Sequence, residues 1–345
     1  MAVETARSYP GISAKSYEHP ADRAATSALG SIPLLDRLLK RLSDLGLERR
    51  HRQLLLGNAV RVGSDQLPGV WELQVATAAR LDISTPRLYV SQTPFVQGVT
   101  VGSHQPTVIV SSSLVDRFGN ADLRTVLAHE AAHVLSEHVH YTDVVSLLRQ
   151  VLNGFFPGRL LVGLPLRALY IVLLEWARAA ELSCDRAAAV VLGDPLAACT
   201  TLMRMAGGPL EALDLQAFLR QATEYVEEDD LFSLRARFGM DLSQSHPFAV
   251  RRVKELVDWV SSGEYDRIVG GSYVRRGEEP PMSSHFEAAV EHYRARFVAM
   301  VDRTLGGVNR LASQIQDWLR TTGSRADADS DAEEDGAGGI PDEDG

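Results

Sequence analysis

Residues 129–133 read His-Glu-Ala-Ala-His. On a helix, residues four apart stand one turn apart on one face, so His129 and His133 can offer two imidazoles to one ion. Glu130 then sits beside that ion without binding it, where it can take a proton from a metal-bound water. A catalytic zinc keeps three protein ligands and one open position, so a third ligand is required. A third His six residues after the second is one solution, but Val139 fills that place. His138 and His140 are the local rivals. On a continuous helix His138 points away from the metal face, and His140 lies about 10 Å beyond His133 at ~1.5 Å per residue. Both read as surface residues or as supports behind the ligands.

A better third ligand lies downstream, in RAAELSCDRAA. Glu181 and Asp185 are four apart and share one helix face. Glu181 can complete the tetrahedron, and Asp185 can accept a hydrogen bond from a ligand histidine and set its tautomer. The flanking Ala179, Ala180, Leu182, Cys184, Ala187, Ala188 and Ala189 make this helix nearly apolar and therefore buried. Two acids on a buried helix need a cation, which Arg178, Arg186 or a zinc ion could supply.

These residues must be positioned by two long helices. The first is expected from Asn120 or Asp122 through about Tyr141, with Asp122 suited to the N-cap. The second is expected from about Leu166 to Leu192, stopped by Gly193. Upstream, residues 33–45 have helical spacing, 54–63 read as a strand and 69–83 as a helix. Three short strand-like runs follow at 87–91, 95–102 and 106–112, which together suggest a small sheet. Downstream segments 195–206, 209–228, 246–262 and 284–320 read as helices.

Composition narrows the rest. The chain has 345 residues, 45% of them hydrophobic, and a formal net charge of -10. From Thr321 onward nine acids face one base, Arg325, so this tail carries -8 of that charge. The near-neutral body gives no reason to expect a nucleic-acid partner, and the tail, with almost nothing to bury, is expected to be disordered. Cys184 and Cys199 are too few for a disulfide framework, and the first twenty residues lack the pattern of a secretory signal. Both features favour the cytoplasm. Residues 160–174, LLVGLPLRALYIVLL, are apolar apart from Arg167. The run is shorter than the ~20 residues a membrane-spanning helix takes, and it reads as a buried core helix or as an interfacial hairpin making peripheral membrane contact through 143–174.

Taken together, these segments resemble metallopeptidase family 48, the HtpX and CAAX prenyl protease group of gluzincins. TVLAHEAAHVLSEHVHY is similar to the family's helix with two His ligands, including the later His138 and Tyr141. ELSCDRAA resembles its Glu-x-x-x-Asp helix, and SHPFAVRRVKEL (245–256) its Ser-His-Pro segment. PRLYVSQTPFVQGVTVGSHQPTVIVSSSLVD looks like the strands before the metal helix, although Phe-Val-Gln-Gly stands near 95–98 where the family has an Asn-Ala-Phe type segment. The resemblance spans about residues 18–260. It implies an α+β, mostly helical zincin-like domain with a small mixed sheet and one Zn²⁺ per chain. Protein or peptide substrates would lie along an edge strand near 96–102. Glu130 would act as base and then as proton donor. His246 would contact the transition state or support the site, or else simply start a helix before Pro247.

The expected organisation is a lead-in at 1–17, a peptidase domain at 18–262, a helical extension at 263–321 and the acidic tail at 322–345. The favoured reading is an active endopeptidase, serving protein quality control. The alternatives are a catalytically silent zinc-binding module and a membrane-embedded protease acting on membrane proteins.

Overall fold

In the computed structural model, residues 7–30, 47–153, 159–227 and 248–278 are described, with Leu35 and short pieces between 287 and 299. Helices α1 (Pro20–Leu29) and α2 (Leu47–Asn58) precede strand β1 (Ala59–Val62), helix α3 (Pro68–Arg80) and strands β2 (Arg87–Ser91), β3 (Gly98–Val101) and β4 (Thr107–Ser111). Next come α4 (Ser112–Arg117), α5 (Asn120–Leu135), α6 (Val139–Asn153) and α7 (Arg159–Leu192). The chain continues through α8 (Pro195–Gly207), α9 (Leu215–Glu227), α10 (Ala249–Ser261) and α11 (Glu264–Val269). The expected helix at 33–45 lies outside the described residues apart from Leu35, as do the tail, His246 and most of 284–320.

The sheet has the order β1-β2-β4-β3. β1 runs antiparallel to β2, β2 parallel to β4, and β3 antiparallel to β4 with Gly98 opposite Val110. The fold is thus α+β and mostly helical with a small mixed sheet, and among the described strands β3 is an edge. Leu88, Val108 and Val110 of the sheet share a core with Leu123, Val126 and Leu127 of α5. The sheet is thereby fixed against the helix that carries His129 and Glu130.

A second core explains how α5 meets α7. Ala128, Ala131 and Ala132 face Cys184, Ala187 and Ala188, all buried. Small side chains on both faces let two helix axes approach to about 8 Å, the near end of the usual packing range. At that separation short functional side chains from both helices can touch. Gly193, at φ +69°, ends α7, and Asp194 caps α8 by accepting hydrogen bonds from the backbone N–H groups of Leu196 and Ala197.

Several elements differ from expectation. The strand read at 54–63 is mostly helix, because α2 continues to Asn58 and leaves four residues for β1. Asp122 is not the N-cap of α5, which is Gly119. The Asp122 carboxylate is buried one turn in and accepts hydrogen bonds from Thr201 and Arg204 at 2.9 Å each. The helix expected to run to Tyr141 breaks at Ser136–His138, with Glu137 in the left-handed region at φ +57°. Residues 7–17, expected as part of a lead-in, place Tyr9, Ile12 and Tyr17 in the core, and the Ser13 N–H donates to the Val274 carbonyl at 2.9 Å. Both Cys184 and Cys199 are free and buried.

The apolar run near 160–174 is core where it is described. Leu169, Val172, Leu173 and Leu174 are buried with Val144 and Leu148 of α6 and with Ala25 and Leu29 of α1. Among the described residues, no helix is long and apolar enough to cross a membrane.

At the start of α6, Asp143 faces the loop after β3. Burial pushes its carboxyl up to about 6, with the Gly102 N–H opposing and Glu48 adding to the rise. A carboxyl raised on folding costs stability once pH climbs through its folded value and costs nothing below its unfolded value near 3.8. Asp143→Asn is therefore expected to raise the melting temperature by about 2–4 °C at pH 7.5 and to leave it unchanged near pH 3.5. Calorimetry at the two pH values tests this, and an equal gain at both would refute it.

Candidate metal centre

The side chains of α5 and α7 converge at one point. His129 Nε2 lies 3.3 Å from His133 Nε2 and 3.2 Å from Glu181 Oε2, and His133 Nε2 lies 3.3 Å from Glu181 Oε1. Ligands about 2.0–2.1 Å from a tetrahedral ion stand roughly 3.3 Å apart, so these three groups are spaced as the corners around one zinc-sized ion. Glu130 and Glu181 are 5% and 4% exposed, and Asp185 is 4% exposed. Among the described residues, these three carboxylates share a buried space with one guanidinium, Arg252, and with the His129 ring, so acids outnumber bases there. Such a set calls for a cation.

One ligand atom each from His129, His133 and Cys184 also falls within 4.8 Å, which makes the thiol a rival third donor. Glu181 is the better candidate on two counts. Its oxygens are 3.2–3.3 Å from both Nε2 atoms. Cys184 instead contacts His138 Nδ1 at 3.6 Å, and burial with its acidic neighbours pushes its thiol well above the ordinary range, away from the thiolate a metal needs.

Asp185 stands behind His129. Its Oδ1 is 3.1 Å from His129 Nδ1, which sets Nδ1–H as donor and leaves Nε2 free to ligate. Burial alone would lower the His129 pKa, but Glu181 and the Asp185 hydrogen bond outweigh it and push it up to about 10, so the ring holds a second proton on Nε2 facing Glu181, in the place a bound metal would take. Burial raises the Asp185 carboxyl, yet Arg252 and His129 together hold it below the usual range. The cation expected beside these acids is thus neither Arg178, whose guanidinium pairs with Glu175, nor Arg186, which donates to the Glu18 carbonyl and lies over the Trp259 ring. It is Arg252 of α10, which grips Asp185 through Nε at 2.7 Å and Nη2 at 2.6 Å and reaches Glu181 at 3.3 Å. The sequence carried a signal for it. Arg252, Leu256 and Trp259 are spaced along one helix face, and an arginine in a buried stripe implies a buried acid.

Glu130 points toward the sheet. Thr100 of β3 donates its hydroxyl proton to Glu130 Oε2 at 2.7 Å. Gly98, two residues earlier on the same strand, leaves room for the carboxylate: a Cβ there would fall 2.8 Å from Glu130 Oε1 and 2.8 Å from Val126 Cγ1. Neither residue stood out in the sequence, because a Gly and a Thr in a short strand carry no pattern of their own. Gly98→Ala is expected to lower turnover by about 10²-fold, the scale of an ångström's misplacement of a reacting group. Steady-state kinetics on a fluorogenic peptide would read it, and unchanged kcat would refute the role.

His138 departs most from expectation. The break after Leu135 turns it inward, where it is 4% exposed. Its Nδ1 lies 3.2 Å from His133 Nδ1. His140 stays outside the site, with its ring near the Glu137 carbonyl. A cleft beside the ligands is lined by apolar Val96, Val126, Leu202 and Met205.

Two histidines and a carboxylate thus converge on one point, with a second glutamate beside them, a candidate centre for a metalloprotease. Residues 73–260 match Peptidase family M48, more than half of the chain, and the chain belongs to that family. A chloroplastic plastoglobule-localized metallopeptidase 48 from Arabidopsis thaliana is 32% identical over 272 residues, covering 76% of this chain and 77% of that protein. Protease HtpX homolog 2 of Methanosarcina mazei is 24% identical, over 56% of this chain and 74% of its own. A protease HtpX homolog of Burkholderia multivorans is 21% identical, over 62% and 81%. No solved structure matches the chain.

Proposed function

We propose that this metalloprotease is a zinc endopeptidase in which His129, His133 and Glu181 hold the ion and Glu130 is the general base. The observation that carries the reading is the convergence of His129 Nε2 and His133 Nε2, 3.3 Å apart, on the Glu181 carboxylate, whose Oε2 and Oε1 lie 3.2 and 3.3 Å from them, among buried acids. When bound, zinc would polarise the scissile carbonyl and lower the pKa of a coordinated water to about 7. Asp185, oriented by Arg252, holds the His129 ring with its Nε2 toward the ion. Thr100 holds Glu130 Oε2, which leaves Oε1 to accept the water's proton and then pass it to the departing amine. The edge strand β3 suits an extended substrate backbone, which pairs by strand addition and favours unfolded proteins or peptides. The apolar cleft would take one substrate side chain. His246 keeps its candidacy for contact with the transition state.

For location, we favour a lipid surface over the open cytoplasm, because the 32% identical relative is named as plastoglobule-localized. Flotation of the purified chain with lipid droplets, against an albumin control, would separate the two.

The function test is zinc content with activity. The purified chain is expected to carry one zinc, to cleave casein, to lose cleavage with a strong chelator, and to regain it with added zinc. Glu181→Ala is expected to lose the metal. A Glu181→Ala protein with full zinc would overturn the ligand set. A zinc-loaded chain that fails to cleave would instead favour the catalytically silent binding module.

A further inference from the structure

A group outside the centre reaches one of its histidines through another. Asp22 of α1 is 1% exposed, and its Oδ2 lies 3.0 Å from His138 Nε2. The same carboxylate accepts hydrogen bonds from Ser183 at 2.6 Å and Thr26 at 3.2 Å. Ser183 and Thr26 both donate to it, so the Asp22 carboxylate acts here as an acceptor. His138 must offer it an Nε2–H, and a neutral ring then keeps its Nδ1 as an acceptor. That acceptor stands 3.2 Å from His133 Nδ1, so the proton between them belongs to His133 Nδ1. His133 is left with its lone pair on Nε2, the atom that faces His129 and Glu181.

We infer that Asp22 and His138 are positioning residues for the metal centre, a carboxylate–histidine relay that fixes the tautomer and ring orientation of His133 as Asp185 does for His129. The inference rests on the zinc reading above.

The fold supports the relay from three sides. The left-handed turn at Glu137 swings His138 inward, where it stacks edge-on against Trp176 at 5.6 Å. Trp176 Nε1 in turn donates to Thr26 at 2.8 Å. Ser183, midway between Glu181 and Asp185 in the chain, bonds Asp22 and also accepts the His19 N–H at 2.9 Å. The N-terminal helix is thus tied to the helix that carries the carboxylate ligand. The two histidine ligands have different supports: Asp185 reaches His129 directly, and Asp22 reaches His133 through one intervening ring.

The test is metal affinity, measured by chelator competition on Asp22→Asn, His138→Gln and the double variant. Loss of an outer support weakens metal binding by roughly 10–100-fold. Each single variant is expected to fall in that range, and the double variant to fall no further than the worse single one, because both changes cut the same chain. The metal-stripped proteins are compared by circular dichroism and thermal melting, since a merely structural role would lower their melting temperature and leave the zinc dissociation constant unchanged. If Asp22→Asn does not fold, His138→Gln with the same readout decides. Folded variants with wild-type zinc affinity, or additive losses in the double variant, would overturn the relay. A wild-type chain that binds no zinc would instead sink the zinc reading itself.

Discussion

Glu130→Gln is expected to lower kcat on casein or a peptide by roughly 10²–10⁴-fold, the usual contribution of a general base. Zinc content should stay at the wild-type level, because Glu130 is not among the converging ligand atoms and faces Thr100 instead. Glutamine keeps the shape of the side chain and can still accept from Thr100, so the change removes only the ability to hold a proton. KM should move little, since the proposed binding mode pairs the substrate backbone with β3 and not with this carboxylate. Side-by-side metal analysis and kinetics give the answer. Wild-type turnover in a zinc-loaded Glu130→Gln protein would refute the base assignment and leave the metal assignment untouched.

Arg252→Met is expected to cost about 3–5 kcal/mol of stability, the typical cost of removing one partner from a buried ion pair. The reason is local. Arg252 is 9% exposed and is the guanidinium that meets both Asp185 and Glu181. Asp185 and Glu181 would then share a buried space with Glu130 and lose the guanidinium that pairs with both. Arg252→Lys should recover only part of the loss, because an ammonium cannot reproduce the two-pronged grip on Asp185. Added zinc should recover part as well, by restoring positive charge beside Glu181. Urea denaturation with and without zinc measures all three effects. A midpoint within error of wild type would show that the acids are compensated in some other way.

The two predictions touch different layers of one site. Glu130 is the proposed base and is placed by a strand. Arg252 does no proton work, yet it keeps Asp185 charged and aimed at His129. Asp22 and His138 perform the equivalent task for His133 from the opposite side. Each ligand histidine therefore has its own acid, and the acids come from helices far apart in the chain.

Much of this site was legible in the sequence, because it depends on local spacing. His129 and His133 must share a face if the segment is helical, and so must Glu181 and Asp185. The apolar flanks of the second pair already implied burial. The helix ending at Gly193 and the short strands near 87–112 were legible for the same reason: periodicity and turn residues are local signals. What depended on distant packing was not. Whether Arg178, Arg186 or another residue answered the two acids turned on which helix lies across α7, and that helix begins about seventy residues later in the chain. The inward turn of His138 required a break that the helical pattern does not announce, since Ser136 and Glu137 are ordinary helix residues and only packing against α1 and Trp176 favours the left-handed turn. Thr100, Gly98 and Asp22 acquire their roles only by being brought within 3 Å or so of a side chain thirty to more than a hundred residues away. The linear chain thus determined which candidate groups for metal binding and proton transfer share a helix face. Tertiary structure decided which groups hold them in place, because support acts through contacts between elements, and no spacing along one element encodes those.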